Sequence, residues 1–351
     1  MEAKMRIGIV GATGYVGMEL VRILSVHPGF ILTQLVSRSH AGQRLSDIYP
    51  SFSRVVDLEL QPLDLDRLAA DCDLVITALP HGVSSEIVPQ LLDRDLRVID
   101  HSGDFRYRDA AVYEGAYKLK HPRPDLLAEA IYGLPELYRR EIAGARLVAN
   151  PGCYPTCSLL ALLPLLKNNL IRLDSIIIDA VSGVSGAGRK SDTAYSFCET
   201  AEGFRAYGVV GHRHTTEIEQ ECGFLAGLGR PQAVTFTPHL APMKRGMLAT
   251  VYADLLPGQD PDRLMEAYRE AYAEEWFIRL LSSGQLPDTR LVTGTNFADV
   301  SVHYDKRTGK VKALCAIDNL GKGAAAQAVQ AMNLMAGLAE NEGLIAVGMA
   351  I

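Results

Sequence analysis

The sequence predicts an α/β protein of two domains, with a doubly wound parallel sheet followed by an α+β domain. The chain has 351 residues, which suits two domains of roughly 150 residues each better than one core. Up to residue 150, short apolar runs alternate with helix-like stretches, as in a parallel sheet with crossover helices. Beyond residue 150, strand-like runs dominate, which is typical of a more antiparallel sheet.

In the first half, the apolar pattern predicts four strands and one helix. The strands are Arg6–Val10, Phe30–Val36, Leu74–Ala78 and Arg97–Asp100, and the helix is Tyr15–Leu24. Apolar runs without polar alternation, as at residues 74–76, are typical of strands buried on both faces. Strand–helix alternation of this kind predicts a Rossmann-type domain. The stretch Asp104–Pro124 carries many charges, Tyr and Pro and is predicted to be a loop.

The second half is predicted to begin with a long apolar helix, Ser158–Leu170. The predicted strands are Ser175–Val181, Ala233–Pro238, Met247–Leu255, Asp299–His303 and Val311–Ile317. The last predicted helix, Ala324–Gly337, is rich in Ala and Met, and we expect it to pack back on the first domain.

Composition and charge exclude several classes of protein. Apolar residues make up 48% and charged residues 22% of the chain, which is typical of a globular protein. We expect no membrane helix, since no run reaches roughly 18 apolar residues, and no signal peptide before the first strand. A cytoplasmic protein is therefore expected. The net charge of −6 without long like-charged runs argues against a nucleic-acid partner, because phosphate contacts need a basic face.

A glycine-rich turn follows the first predicted strand and opens the first helix. Its spacing, Gly11-x-x-Gly14-x-x-Gly17, is a variant of the dinucleotide-binding fingerprint. Glycines let the backbone approach a pyrophosphate, and the helix N-terminus offers N–H groups to the anion. The predicted cofactor-binding residues of this turn are Gly11, Thr13, Gly14, Tyr15 and Val16. An ordinary tight turn is the alternative interpretation.

The end of the second strand indicates which cofactor binds. An NAD site usually has Asp or Glu there to hold the ribose hydroxyls, but this sequence reads Ser37-Arg38-Ser39. Arg38 can pair with a 2′-phosphate, and Ser37 and Ser39 can donate hydrogen bonds to it. The sequence therefore favours NADP(H). The alternative is that Arg38 is a solvated surface charge.

One cysteine stands apart from the other five. The six cysteines form no Cys-x-x-Cys pair, so most are expected to be buried free thiols. Cys153 follows Pro151-Gly152 and precedes the long apolar helix, and Pro155 suits a first helical turn. A helix N-terminus stabilises a thiolate, so Cys153 is the candidate nucleophile that holds an acyl group as a thioester. The alternatives are a small turn residue, or a disulfide or metal pair with Cys157.

Two histidines lie just before another predicted helix, in the segment Gly211-His212-Arg213-His214-Thr215. Thr215 is a plausible N-cap for that helix. One histidine is a candidate acid/base that activates the thiol and later returns a proton; His214 is preferred to His212, and the choice between them stays open. The alternatives are a metal pair that His239 could join, and hydrogen-bonded structural histidines. No metal is expected.

Further loops and arginines complete the candidate site. Gly/Ser-rich loops can wrap a cofactor with backbone N–H groups, an Asn side chain can hold a nicotinamide amide, and Arg can grip phosphate or carboxylate groups. The remaining predicted cofactor contacts are Ser182, Gly183, Gly186, Asn319 and Gly321, and the predicted substrate contacts are Arg106, Arg205 and Arg245.

Four motifs together resemble the N-acetyl-γ-glutamyl-phosphate reductase family, a relative of aspartate-semialdehyde dehydrogenase. They are GATGYVG at 11–17, NPGCYPT at 150–156, GHRHTTEIEQ at 211–220 and DNLGKGAAAQA at 318–328, and the resemblance runs through essentially the whole chain. It implies that Cys153 is the nucleophile, that the His-rich segment supplies the acid/base, and that the protein is a homodimer or homotetramer using NADP(H). It also implies an NADP-binding Rossmann domain at 1–150 with 319–351, and a catalytic and oligomerisation domain at 151–318.

The resemblance implies a specific reaction of arginine biosynthesis. N-acetyl-L-glutamyl 5-phosphate is reduced by NADPH to N-acetyl-L-glutamate 5-semialdehyde and phosphate, through a thioester on Cys153. Thr216 stands where the family often has Pro, which leaves the helix start possible. A lysine-branch reductase of protected aminoadipyl phosphates would share these motifs, and a non-catalytic NADP-sensing protein is a further alternative. A glyceraldehyde-phosphate-type dehydrogenase is disfavoured by the missing carboxylate after the second strand.

Overall fold

The computed structural model describes residues 4–189, 191–282 and 284–348. The chain forms two compact units, Met1–Pro151 with Ala324–Ile345, and Gly152–Gly323 with Ala346–Ile351. The backbone therefore passes between units at 151/152 and at 323/324, whereas the predicted functional domains change at 150/151 and 318/319. The outermost parts of the predicted first domain, residues 1–3 and 349–351, lie outside the described residues.

Within the described residues, the first unit contains a seven-stranded sheet. Its strands are β1 Met5–Val10, β2 Phe30–Val36, β3 Leu60–Gln61, β4 Leu74–Thr77, β5 Arg97–Asp100, β6 Ile131–Tyr132 and β7 Leu147–Ala149. They lie in the order β3-β2-β1-β4-β5-β7-β6, and their pairings are parallel. The strand order reverses between β1 and β4, which is where doubly wound sheets bind ligands, at the carboxyl ends of the strands. The predicted Rossmann-type sheet is confirmed.

Helices connect these strands, and one of them lies in a segment that was predicted to be a loop. The helices are α1 Tyr15–Leu24, α2 Leu45–Ile48, α3 Leu65–Asp71, α4 Ser84–Leu92, α5 Ala110–Tyr117 and α6 Pro135–Ala143. Helix α5 lies inside Asp104–Pro124, so the prediction of a loop there is wrong. The Asp109 side chain caps α5 by accepting a hydrogen bond from the Ala111 N–H at 2.8 Å, and the buried Tyr113 donates to the Asp104 carboxylate at 3.0 Å. These contacts stabilise a helix whose own apolar pattern is weak.

The turn from β1 into α1 requires glycine at two positions. Gly11 has a φ of +94°, a region that side-chain-bearing residues rarely adopt, and a Cβ there would collide with the carbonyl oxygen of Ala78. A Cβ on Gly17 would collide with the carbonyl oxygen of Gly11. Helix α1 has the extended Gly14 as its N-cap and no side-chain cap. The turn therefore presents helix-start N–H groups at the carboxyl end of β1, as a pyrophosphate site needs.

The second unit combines helices on one side with a mixed sheet. Its helices are α7 Cys153–Lys167, α8 Phe197–Thr200, α9 Arg213–Leu225, α10 Asp262–Tyr272 and α11 Thr289–Val292. Its strands are β8 Ile177–Gly183, β9 Arg205–Ala206, β10 Thr235–Ala241, β11 Met247–Asp254, β12 Ile278–Leu280, β13 Ala298–Asp305 and β14 Lys310–Ile317. In the described part of the chain they lie in the order β12-β13-β14-β11-β8-β10-β9.

Antiparallel pairs dominate the second sheet, which confirms the predicted α+β domain. Strand β11 is antiparallel to β8 and β14, and β13 is antiparallel to β14, while β8 pairs with β10 in parallel. Helix α7 packs on β11 and β14. Alternate residues of β11, such as Met247 and Ala249, are buried, and the intervening Leu248 and Thr250 are partly exposed. This alternation is typical of a sheet with helices on one face.

The last helix, α12 Ala326–Met335, belongs to the first unit. It packs against α1 and α6, which confirms the expected return of the chain. A single π-helical turn, Gly321–Ala325, precedes it.

Gly17→Ala is expected to lower the free energy of unfolding by about 1–3 kcal/mol, because the added methyl group has no space beside Gly11. Gly115→Ala is a matched control: Gly115 lies in α5, and a Cβ there meets no atom within 4 Å. The free energy of unfolding of Gly115→Ala should rise by about 0.5–1 kcal/mol. Urea unfolding followed by circular dichroism measures both changes. A Gly17→Ala midpoint equal to that of the wild type would contradict the close packing of the turn.

Candidate active site

Hydroxyl groups support the glycine turn of the first unit. The hydroxyls of Thr13 and Ser37 lie 3.0 Å apart, and Tyr49 donates to the carbonyl oxygen of Thr13 at 2.8 Å. Ser37 is buried, whereas Arg38 and Ser39 at the same strand end are exposed. Arg38 and Ser39 are therefore accessible to a phosphate group, while Ser37 helps to orient Thr13.

Arg106 is buried in the first unit, with 6% of its surface exposed. Its Nε donates to the carbonyl oxygen of Asn150, and its Nη2 donates to that of His101, both at 2.8 Å. The guanidinium thus connects the chain after β5 to the chain after β7. Because Asn150 comes three residues before Cys153, Arg106 fixes the point at which the chain leaves the first sheet. A phosphate-binding role for Arg106 stays a prediction.

Cys153 is the first residue of α7, and its side chain is partly exposed. The N-cap, Gly152, is extended and provides no side-chain cap, so the thiol lies where a helix start favours negative charge. The backbone of Gly323 packs against it, since a Cβ there would lie 2.9 Å from the Cys153 Cβ. Cys157 is a buried free thiol that donates to the carbonyl oxygen of Cys315 at 3.1 Å. The predicted alternative of a Cys153–Cys157 disulfide is therefore wrong.

Helix α9 brings a histidine and a glutamate to the turn before Cys153. A Cβ placed on Gly152 would lie 2.5 Å from Nε2 of His214, so the imidazole packs directly on the Gly152 backbone. Farther along α9, the buried Glu217 accepts a hydrogen bond from the Gly152 N–H at 2.9 Å. A hydrogen bond to a charged group contributes about 1.5–3 kcal/mol. The two contacts hold His214 beside the residue that precedes Cys153.

His212 is the N-cap of α9. Its Nδ1 accepts a hydrogen bond from the His214 N–H at 3.2 Å, and the helix begins at Arg213. The prediction of Thr215 as the N-cap is therefore wrong; an unprotonated imidazole nitrogen is an acceptor that can replace a hydroxyl. Burial, and after it the positive charge of Arg213, lower the pKa of His212 to about 4. His212 is thus neutral near pH 7, and the preference for His214 as the acid/base stays a prediction.

Two tyrosines form a hydrogen-bonded chain near Cys153. Tyr207 donates to the Tyr154 hydroxyl at 3.1 Å, and Tyr154 donates to the carbonyl oxygen of His239 at 3.0 Å. Burial raises the pKa of both phenols, to about 12 for Tyr207, and negative charge at Cys153 adds to the increase. Both hydroxyls therefore stay protonated near neutral pH and can act as neutral hydrogen-bond donors.

Three loops meet at one edge of the second sheet. Asn319, after β14, joins the other two: its Oδ1 accepts from the Gly246 N–H at 2.8 Å, and its Nδ2 donates to the Ser185 hydroxyl at 2.9 Å. A Cβ on Gly183 would lie 2.9 Å from the carbonyl oxygens of residues 243 and 244, so only glycine allows this approach. The structure thus gathers the predicted loop residues Ser182, Gly183, Gly186, Asn319 and Gly321 into one loop cluster.

The two candidate arginines of the second unit lie in different surroundings. Arg245 belongs to the loop cluster, and its Nε donates to the two carboxylate oxygens of Asp318 at 3.1 and 2.9 Å. Arg205 is exposed on β9, and its Nη2 donates to the carbonyl oxygen of Ala194 at 2.9 Å.

A metal-binding cluster and a membrane-spanning helix are both absent from residues 4–189, 191–282 and 284–348. In these ranges no group of three or more His, Cys, Asp or Glu side chains is arranged to hold a metal ion. In the same ranges no helix combines the length and apolarity needed to cross a membrane.

Two family models match most of the chain. The semialdehyde dehydrogenase NAD binding domain matches residues 6–145, and the semialdehyde dehydrogenase dimerisation domain matches residues 153–319. An N-acetyl-gamma-glutamyl-phosphate reductase of Acetivibrio thermocellus is 54% identical over 96% of this chain and 97% of that protein. An N-acetyl-gamma-glutamyl-phosphate reductase of Desulforudis audaxviator is 50% identical over 98% of this chain and 99% of that protein. The chain belongs to the N-acetyl-gamma-glutamyl-phosphate reductase family.

Solved structures share the fold at lower identity. Aspartate semialdehyde dehydrogenase II of Vibrio cholerae superimposes with a TM-score of 0.72 at 18% identity, covering 96% of this chain and 99% of that one. Aspartate semialdehyde dehydrogenase of Candida albicans, solved with NADP, superimposes with a TM-score of 0.71 at 17% identity. The match covers 97% of this chain and 99% of that one. Members of the N-acetyl-gamma-glutamyl-phosphate reductase family are oxidoreductases, and the predicted family, fold class and NADP(H) cofactor are confirmed. The roles of individual residues stay predictions.

Sequence reasoning assigned no role to four residues whose contacts the structure shows: Tyr49 in the first unit, and Tyr207, Glu217 and Asp318 in the second. Glu217 had a detectable signal, because residues three apart on a helix share a face and Glu217 follows His214 by three. The others had no such local signal, because each acts on a segment distant in sequence.

His212→Asn is expected to make stability less sensitive to acid. The pKa of His212 is about 4 in the folded protein, against an ordinary value of 6.5, so the unfolded chain binds the proton first as the pH falls. The stability that the neutral imidazole contributes is therefore complete above about pH 6.5 and is lost between about pH 6.5 and 4. Asn keeps an N-cap acceptor and does not titrate.

Urea unfolding between pH 8 and pH 4.5 tests this expectation. The free energy of unfolding should fall less steeply with acid in His212→Asn than in the wild type. His212→Ala, which also loses the cap, should be about 1 kcal/mol less stable at pH 8. Identical pH slopes for the wild type and His212→Asn would refute a lowered pKa for the half-buried His212 imidazole.

Proposed function

We propose that this protein reduces N-acetyl-L-glutamyl 5-phosphate with NADPH to N-acetyl-L-glutamate 5-semialdehyde and phosphate, in arginine biosynthesis. The observation that carries the proposal is the partly exposed Cys153 thiol at the start of α7, with His214 packed on the preceding residue. An acyl phosphate is an activated carbonyl that a thiolate can attack. The name of the relatives supports this choice of substrate.

Cys153 carries the covalent chemistry. Its Sγ forms a bond to the acyl carbon, the bond from that carbon to the phosphate oxygen breaks, and phosphate leaves with the electron pair. His214 takes the proton from Sγ before this attack and returns one to Sγ as the aldehyde departs. The N–H groups at the start of α7 can stabilise the negative charge on the carbonyl oxygen. Glu217 accepts a hydrogen bond from the Gly152 N–H and so holds Gly152 beside the helix that carries His214.

The residues of the first unit fit a phosphorylated dinucleotide. Gly11 and Gly17 leave no room for side chains at the turn, and Arg38 is exposed where a 2′-phosphate would need a cation. We assign the pyrophosphate to Gly11–Val16, the 2′-phosphate to Ser37–Ser39, and the nicotinamide end to Ser182, Gly183, Gly186, Asn319 and Gly321. When bound, NADPH supplies the hydride that reduces the thioester.

Three arginines are proposed for the anionic groups of the substrate. Arg106 is assigned to the leaving phosphate, and Arg205 and Arg245 to the carboxylate. Arg245 has the strongest support, because its partner Asp318 begins the turn that packs on Cys153.

Reduction of NADP⁺ in the presence of phosphate, the reverse reaction, tests the substrate. N-acetylglutamate semialdehyde is compared with the one-carbon-longer protected aminoadipate semialdehyde, and we expect a strong preference for the first. Preference for the second would move the enzyme to the lysine branch with the Cys153 chemistry unchanged. Activity with neither would refute the proposed reaction and favour an NADP-sensing protein.

Cys153→Ala is expected to lower kcat at least about a thousandfold while the Kd for NADPH stays within about twofold. His214→Gln should lower kcat by about 10²–10⁴-fold, the usual contribution of a general acid/base. His212→Asn is the matched control and should change kcat only severalfold, since it keeps the cap. A greater loss in His212→Asn than in His214→Gln would reverse the assignment of the acid/base.

Arg38→Ala is expected to raise the KM for NADP⁺ about 10–100-fold and to leave the KM for NAD⁺ nearly unchanged. A charge-assisted hydrogen bond to phosphate contributes about 1.5–3 kcal/mol, which gives this range. Arg44→Ala is the control, because Arg44 is an exposed arginine paired with Asp57. Equal increases for both nucleotides in Arg38→Ala would contradict the assignment of the 2′-phosphate site.

We propose that the protein is a homodimer or homotetramer associating through its second unit. The match to a dimerisation domain at 153–319 supports an oligomer. The partly exposed row of β11 that includes Leu248, Thr250 and Tyr252 supports a sheet face as the surface used. The cytoplasmic location expected from the sequence stays a prediction.

A further inference from the structure

The Asp318 carboxylate, just after the end of β14, is a buried hydrogen-bond acceptor shared by several segments. It is 0% exposed and accepts hydrogen bonds from four donors. These are Arg245 Nε at 2.9 and 3.1 Å, and the N–H groups of Gly294 at 2.6 Å, Leu320 at 2.9 Å and Gly321 at 3.2 Å. Donors that converge from three separate segments hold the carboxylate in one orientation.

The same residue fixes the turn behind the nucleophile. The Gly323 N–H donates to the carbonyl oxygen of Asp318 at 2.9 Å, and Gly323 is the residue whose backbone packs against Cys153. The Asp318 side chain accepts from the N–H groups of Leu320 and Gly321 within that turn. Asp318 thus holds both the turn that contacts Cys153 and the guanidinium of Arg245.

Arg245 is both anchored and accessible. About 21% of its side chain remains exposed, against 0% for Asp318. Its backbone lies in the segment that packs on Gly183, where a Cβ would lie 3.0 Å from the Arg245 nitrogen. A guanidinium fixed by a buried carboxylate loses little conformational freedom when it binds a second anion.

We propose that Asp318 is a positioning residue that presents Arg245 to the carboxylate of the substrate. The inference rests on the proposed function, since the substrate of that reaction carries a carboxylate next to the acylated nitrogen. Asp318 touches neither substrate nor reacting atoms; it acts by setting the place of Arg245 relative to the turn that contacts Cys153.

Asp318→Asn separates this role from a purely structural one. Asn keeps an oxygen for the backbone N–H groups but removes the charge that holds Arg245. We expect the KM for N-acetylglutamate semialdehyde to rise about 10–100-fold, the loss of a charge-assisted contact, with the KM for NADP⁺ within about twofold. The rate of Cys153 alkylation by iodoacetamide should also stay within about twofold. Activity with 4-acetamidobutanal, which lacks the carboxylate, should equal that of the wild type.

Asp299→Asn is the matched control. Asp299 is another buried carboxylate of the second unit, with a side chain 2% exposed, and it pairs at 2.5 Å with the half-exposed Arg279. This variant should lose stability without a change in either KM. In the variant that combines Asp318→Asn with Arg245→Ala, the KM for the semialdehyde should match that of Arg245→Ala alone, because contributions made through one contact are not additive.

Several results would overturn the inference. They are a fall in kcat with the KM for the semialdehyde unchanged, additive effects in the double variant, or an equal rise in KM in Asp299→Asn. If Asp318→Asn does not fold, Asp318→Glu, which keeps the charge but moves it, must raise the KM for the semialdehyde and not that for 4-acetamidobutanal. A wild type inactive with both N-acetylglutamate and protected aminoadipate semialdehyde would overturn the proposed function together with this inference. An active wild type with an unaltered variant would overturn this inference alone.

Discussion

The arrangement around Cys153 depends on one hydrogen bond, from the Gly152 N–H to the Glu217 carboxylate. It joins the start of α7 to the first turns of α9, although the two residues are 65 positions apart. Because Glu217 is fully buried, water cannot replace the lost donor, and breaking this bond would leave a buried anion with one partner fewer. His214 lies on the same helix, so one interaction fixes both the turn before Cys153 and the helix that carries the imidazole.

Two glycines make this closeness possible. The imidazole of His214 occupies the space in which a side chain of Gly152 would lie, and Cys153 leaves no room for a side chain at Gly323. Cys153 therefore follows Gly152 in the chain and packs on Gly323, and neither of these glycines has a side chain. Such contacts restrict where the Cys153 side chain can lie before any substrate arrives, which reduces the ordering needed to reach a reactive geometry.

Features set by neighbouring residues could be predicted from the sequence. The glycine turn, the helix start at Cys153 and the strands of the first sheet each follow from short motifs or unbroken apolar runs. The errors arose where a specific side-chain contact, which apolar patterning does not reveal, decided the structure. Helix α5 exists because Asp109 caps it and Tyr113 reaches Asp104. The start of α9 was misplaced because a half-buried, neutral histidine serves as its cap. The roles of Glu217 and Asp318 depend on partners 65 and 73 residues away; helical spacing places Glu217 on the face of His214 but does not identify these partners.

Buried carboxylates near a thiolate would ordinarily oppose its negative charge. Here the charge of Asp318 is balanced by Arg245 and three backbone N–H groups, and Glu217 accepts a backbone N–H. Asp318 and Glu217 can therefore position neighbouring groups while their own negative charges repel a thiolate at Cys153 less strongly. Three other titratable groups keep one protonation state near neutral pH. His212 stays neutral, and Tyr154 and Tyr207 stay protonated. His214 is the group proposed to exchange a proton with Cys153, and this proposed division of roles depends on burial as much as on residue type.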